Sequence, residues 1–86
     1  MAVRIVFLGK LVDLAHVSEA MMPASVTSGW EALRHWIEES FGAELARAVS
    51  EDSVKIALNG HLVSSRDGLQ VKSGDELALL PPVSGG

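Results

Sequence analysis

Only one stretch of this chain keeps a helical period for several turns. Trp30, Leu33, Ile37 and Phe41 recur at three- and four-residue spacing, with Trp36 beside them and Arg34, Glu38 and Glu39 on the wet side. Ser28-Gly29-Trp30-Glu31 precedes the stripe in the form of a capping box, Ser at N-cap and Glu at N3. Gly42 stands where a left-handed residue ends such a helix. An apolar stripe of this kind has to be buried against another layer, and the segments on either side of it read as strands.

Val3-Arg4-Ile5-Val6-Phe7-Leu8 is rich in β-branched residues and apolar on both faces, which suits a central strand. Gly9-Lys10 breaks it. Leu11 to His16 fits either a helical turn or a wide loop, and Val17 to Met22 reads as a second strand, stopped by Pro23. Beyond the main helix, Ala43 to Val49 predicts a shorter one, with Leu45, Ala46 and Val49 on one face. Val54 to Leu58 alternates like a half-buried strand. Asn59-Gly60 then signals a type I′ hairpin, and His61-Leu62-Val63 returns. Arg66-Asp67-Gly68 and Lys72-Ser73-Gly74-Asp75 are turn clusters with Leu69 and Val71 between them. Glu76 to Leu80 forms the last strand, ended by Pro81-Pro82. A hairpin, a crossover helix and further strands make an α+β fold: a mixed sheet with the main helix on one face and a short second helix. The ubiquitin-like β-grasp is its form at this length, with residues 1–80 as the domain and 81–86 as an extended tail.

Composition narrows the function. Eighty-six residues make one domain with a small core, burying only ~60% of the surface of the unfolded chain. The absence of cysteine excludes a disulfide scaffold, a thiolate nucleophile and cysteine-ligated zinc or iron–sulfur. Seven basic residues against eleven acidic ones leave a net charge of −4, so nucleic acid is a poor partner. The apolar runs fall short of the ~20 residues of a membrane span, and Met-Ala-Val-Arg does not open like a signal peptide. A cytoplasmic protein away from membranes is expected. His16, His35 and His61 lack metal-ligand spacing, so no metal is expected. Ser50, Ser64 and Ser65 lack a base and an oxyanion device. Glu38-Glu39 reads as a solvated helix face. Trp30 and Trp36 read as packing, and Gly9 and Gly42 as structural.

The end of the chain carries the chemistry. From Leu77 to Gly86 there is no charged side chain, and charged side chains are the costliest to desolvate, so this run enters a partner's pocket cheaply. Pro81 and Pro82 lack backbone donors and stiffen the exit from the domain. Gly85 and Gly86 have no Cβ, which lets a partner's atoms approach the last carbonyl. The sole charge is the terminal carboxylate of Gly86, an acyl group open to activation.

Gly74-Asp75-Glu76-Leu77-Ala78-Leu79-Leu80-Pro81-Pro82-Val83-Ser84-Gly85-Gly86 closely resembles the end of the molybdopterin synthase small subunit, the MoaD-type sulfur carrier. Val3 to Leu14, Trp30-Glu31-Ala32-Leu33 and Ala57-Leu58-Asn59-Gly60 extend the resemblance over most of the chain. It departs in two places: the family often has an aromatic where Leu80 stands and a Gly where His16 stands. The resemblance implies a β-grasp protein that is not catalytic alone and binds no cofactor. A ubiquitin-activating-like adenylyltransferase would use ATP to adenylate Gly86, and a sulfur donor system would convert the product to a thiocarboxylate. The tail (Pro81, Pro82, Val83, Ser84 and Gly85 leading to Gly86) would then enter the large subunit of molybdopterin synthase, in a two-plus-two complex. There the sulfur passes to cyclic pyranopterin monophosphate. The resemblance also places apolar interface residues at Leu8, Leu62 and Leu80. Carriers for thiamine or tRNA thiolation share the Gly-Gly end, as does a ubiquitin-like modifier joined to target lysines through Gly86.

Overall fold

The computed structural model describes residues 2–23 and 29–82. In chain order the elements are β1 (Ala2–Phe7), α1 (Leu11–Ala15), β2 (Glu19–Pro23), α2 (Trp30–Phe41), α3 (Ala43–Val49), β3 (Lys55–Leu58), β4 (His61–Leu62), a 3-10 turn (Arg66–Gly68) and β5 (Glu76–Leu80). The strands form one sheet in the order β2-β1-β5-β3-β4. The pair β1–β5 is parallel and the other three pairs are antiparallel. A parallel pair needs a long crossover, and the helical segment supplies it. This is the mixed sheet of a β-grasp, as the sequence predicts.

Alternation sets the core. Val3, Ile5 and Phe7 of β1, Leu77 and Leu79 of β5, Ile56 of β3 and Met22 of β2 are buried, while their neighbours along each strand are less so. Leu33 and Ile37 of α2 are fully buried in the same cluster. Phe41 meets Phe7 edge-on at 5.3 Å and Trp36 at 5.7 Å, the T-shaped arrangement that ring quadrupoles favour. Leu45, Ala46 and Val49 bury the expected face of α3.

Several local expectations need correction. The N-cap of α2 is Gly29, with no side-chain cap hydrogen bond, and Ser28 lies outside the described residues. Glu31, no longer at N3, pairs instead with Arg34 at 3.3 Å. Gly42 has a positive φ of +103° as expected, but with ψ at 165° it lies outside the left-handed helical region. Only glycine adopts that combination easily, and it turns the chain directly from α2 into α3. Of the two readings of Leu11 to His16, the helical turn holds, over Leu11–Ala15 with His16 as its C-cap. The second strand starts at Glu19, because residues 16–18 complete the turn that lets Phe7 N–H reach Ser18 O at 2.8 Å. Leu69 and Val71 are buried without strand pairing.

His16 explains its own departure from the family pattern. Its backbone is left-handed, φ +66° and ψ +9°, and its N–H reaches Val12 O at 2.7 Å to close α1. Left-handed strain on an L-residue costs roughly 1–2 kcal/mol, and the extra unfolded-state freedom of glycine offsets roughly 0.5–1 of that. His16→Gly is therefore expected to stabilise the domain by about 0.5–1 kcal/mol. A urea midpoint that stays put or falls would contradict this.

Two polar devices hold the remaining loops. Asn59 and Gly60 both have positive φ, +51° and +85°, as a type I′ turn requires. Asn59 Oδ1 accepts from Glu76 N–H at 2.9 Å, and its amide donates to Asp75 Oδ1 at 3.1 Å, tying the hairpin to β5. Asn59 and the Lys72 N–H hold the Asp75 carboxyl below its usual range. Arg66, unremarked in the sequence beyond its turn, reaches the carbonyls of Val49 (3.0 Å), Ser50 (3.3 Å), Glu51 (2.7 Å) and Val54 (2.9 Å). It thereby caps the C-terminal end of α3, and its guanidinium carbon stacks 4.7 Å over Trp30.

Candidate functional site

The tail leaves the domain from β5, beside the end of β1. Leu8 N–H reaches Leu79 O at 3.3 Å and so carries the β1–β5 ladder one residue past Phe7. On the face turned away from the core, pairing lines up Val6, Ala78, Ala57 and Leu62 across β1, β5, β3 and β4. Period-two alternation puts Leu8 and Leu80 on the same face, one step nearer the exit. None of the three candidate interface leucines belongs to the core. Leu62 is 72% exposed and Leu8 40%, while Leu80 is half-buried. Val6 and two alanines occupy the middle row of this face, with Leu62 at its β4 edge, and Leu8 and Leu80 stand at its exit end.

The opposite end of the face is charged. Arg4 lies between Glu19 at 2.7 Å and Glu76 at 3.1 Å, bridging three strands. This contact raises the Arg4 pKa and lowers that of Glu19. The side chains are half exposed, so the bridges add little stability; their effect is to neutralise the carboxylates on this face.

Gly9 shapes the exit itself. Its φ is +56°, and a Cβ there would stand 2.8 Å from Pro81 Cγ. The proline ring thus rests on backbone that only glycine leaves uncovered. The sequence marks Gly9 as a strand break; its contact with a residue at the far end of the chain carries no local signal. Pro81 is half-buried and Pro82 exposed. Val83, Ser84, Gly85 and Gly86 lie outside the described residues.

Other candidate chemistry does not converge. His16 follows α1, His35 is on α2 and His61 opens β4. Among the described residues no three imidazole or carboxylate groups gather as a metal site would require. A groove beside β4 is lined by Trp30, Ser64, Ser65, Arg66 and Asp67 among others, and offers its serines no imidazole. Among the described residues no helix is long and apolar enough to cross a membrane.

The fold recurs in solved proteins. SAMP1 of Haloferax volcanii superposes with a TM-score of 0.81 at 22% identity, over 100% of both chains, a likeness of fold alone. A protein from Pyrococcus furiosus assigned as molybdopterin converting factor subunit 1 gives 0.73 at 27% identity, over 96% of this chain and 99% of that one. A chain of the complex of subunits 1 and 2 of molybdopterin-converting factor from Helicobacter pylori gives 0.64 at 29% identity, over 100% of both. No curated protein matches in sequence. With the family model matched from residue 5 through the diglycine end at residue 86, the chain belongs to the ThiS family.

Proposed function

We propose that this chain carries sulfur for molybdopterin formation as a thiocarboxylate on Gly86. The observation that carries the reading is a coincidence on one face of the sheet: the charge-free run beginning at Leu77 leaves the domain beside Leu8 and Leu80, on the apolar face whose β4 edge carries Leu62. The face supplies affinity and the tail supplies the reagent. The 29% identity to a chain of the Helicobacter pylori molybdopterin-converting factor complex supports a large-subunit partner.

A carboxylate is a poor electrophile. The Gly86 carboxylate oxygen attacks the α-phosphorus of ATP on the adenylyltransferase, and pyrophosphate leaves. Sulfide-level sulfur, released by the donor system as hydrosulfide, attacks the acyl carbon; AMP leaves and the proton passes to solvent. The resulting thiocarboxylate presents a charged, nucleophilic sulfur near pH 7 in a chain without cysteine. The domain contributes delivery, holding that sulfur at a site on another chain, so the catalytic groups belong to its partners.

Leu62→Asp tests the docking face. A carboxylate there is solvated in the free domain, so folding is preserved, yet it would be buried in the complex. Affinity for the molybdopterin synthase large subunit is expected to fall at least about tenfold, roughly 1.4 kcal/mol. An unchanged Kd by calorimetry would remove this face from the interface.

A second reading, a ubiquitin-like protein modifier, draws support from the fold shared with SAMP1. Both readings use the same activation step. Blots of cells expressing a tagged chain separate them: Gly86-dependent bands of higher mass favour the modifier, and sulfur transfer to cyclic pyranopterin monophosphate without such bands favours the carrier.

A further inference from the structure

We propose that Asn59-Gly60 is a site of covalent self-modification, deamidation through a cyclic imide, which the fold holds shut and whose product frees the β3–β4 hairpin from β5. Asn59 is the one asparagine of the chain, and glycine follows it. Gly60 has no Cβ to shield its backbone nitrogen, and one built there would meet nothing within 4 Å. Both residues are exposed at the tip of the hairpin. A main-chain nitrogen, a side-chain amide one residue before it and water are therefore together. Gly60 N bonds to Asn59 Cγ, the Cγ–Nδ2 bond breaks, and ammonia leaves with the proton from Gly60 N. Water then opens the imide at either carbonyl. One opening gives aspartate; the other gives isoaspartate, with the main chain rerouted through Cγ. No other reactant is needed.

In the folded domain the first step is opposed by three hydrogen bonds to the start of β5. Asn59 N–H reaches Glu76 O at 2.7 Å, its Oδ1 accepts from Glu76 N–H at 2.9 Å, and its Nδ2 donates to Asp75 Oδ1 at 3.1 Å. Both polar atoms of the side-chain amide are engaged, so the amide cannot turn its carbon toward Gly60 N until they let go. Asp75 is itself fixed, since its Oδ2 accepts from Lys72 N–H at 2.9 Å. The site opens when the hairpin tip lifts from β5, a local event that does not require the core to unfold. Once the reaction has run, the tie cannot re-form. Aspartate at position 59 sets a carboxylate against that of Asp75, where a donor stood before. Isoaspartate adds a carbon to a two-residue turn whose geometry fixes the register of β3 and β4. Leu62 rides on that hairpin, 72% exposed, so the change reaches the outer face of the sheet.

The test is the mass of the tryptic peptide Ile56–Arg66 after the full chain has been kept in mildly alkaline buffer. A gain of about 1 Da, ammonia lost and water added, marks the reaction of this thermolabile residue type. The native chain is expected to react at least about tenfold more slowly than the same chain unfolded in urea. Asp75→Ala should speed the native reaction about fivefold and leave the unfolded rate unchanged. Ile37→Val, a core change on α2 that also lowers the urea midpoint, is the control for general destabilisation and should speed it less than about twofold. The aspartyl product is represented by Asn59→Asp. In that variant Val63 N–H, bonded to Ile56 O at 2.8 Å in the native hairpin, should exchange with deuterium at least about tenfold faster than in wild type. Four results would each overturn the inference: no gain in the unfolded chain, equal rates folded and unfolded, equal acceleration by Asp75→Ala and Ile37→Val, or Val63 N–H protected alike in wild type and Asn59→Asp.

Discussion

Replacing Arg66 with Ala is expected to remove about 3–4 kcal/mol of stability. The side chain reaches four backbone carbonyls at the end of α3 and in the loop after it, and covers one face of Trp30. Hydrogen bonds from a charged donor are worth about 1.5–3 kcal/mol each in isolation, but these four share one guanidinium and are not additive. One buried atom, Arg66 Nε, has no partner among the described residues, which subtracts from the gain. The ion pair with Asp52 at 3.9 Å adds little, since Asp52 is fully exposed. For 86 residues the total stability is on the order of 4–13 kcal/mol. The loss would thus be a large fraction of the whole. Arg66→Lys keeps the charge but loses the planar fork, and should recover less than half. Urea midpoints of the three proteins check this; a midpoint for Arg66→Ala near that of wild type would show that the carbonyls are satisfied without the arginine.

Gly9→Ala is expected to damage both stability and delivery. The new methyl group would stand 2.8 Å from Pro81 Cγ on a residue whose φ is +56°. Left-handed strain accounts for roughly 1–2 kcal/mol, and displacing the proline ring for about 1 more. Pro81 is the first residue of the tail, so its displacement redirects everything beyond it. A misplacement of about 1 Å at a reacting group costs up to ~100-fold in rate, and a drop of at least about tenfold in kcat/KM for adenylation of Gly86 is expected. A double-mutant cycle separates the causes. Pro81→Ala in the Gly9→Ala background should recover the steric share of stability and leave the backbone strain. Purely additive effects would show that Gly9 and Pro81 do not communicate.

These two residues also mark where sequence reading ends. The alternation in β3 and the stripes on α2 and α3 are local patterns, so the fold class and those buried faces follow from spacing, whereas β1 reads as apolar on both faces and its alternation, with Arg4 exposed and Val6 half-buried, shows only in the fold. The exposure of Leu62 is not among them: the resemblance alone marks it as an interface residue, and its place on the outer face comes from the pairing of β4 with β3. The start of α2 lies one residue later than expected: local propensity ranks Ser28 above Gly29 as an N-cap, and the helix nevertheless begins after Gly29. α1 stayed ambiguous because five residues are too few for a period. Arg66 reads as a turn residue, since its acceptors lie 12–17 positions earlier in the chain. Gly9 reads as a strand break, since the ring it accommodates is at the other terminus. In both, the deciding contact is tertiary. The tail motif was the reverse case: its chemistry is written in residue types, and no contact within the domain is needed to read it.

The central claim is that Gly86 is loaded with sulfur, and the mass of the intact chain after incubation with the adenylyltransferase, ATP and a sulfur donor tests it most directly. A gain of about 16 Da is expected, sulfur replacing oxygen at the terminal carboxylate through an acyl-adenylate, and no gain in a chain lacking Gly86. A wild-type mass unchanged by an adenylyltransferase proven active on another substrate would contradict it.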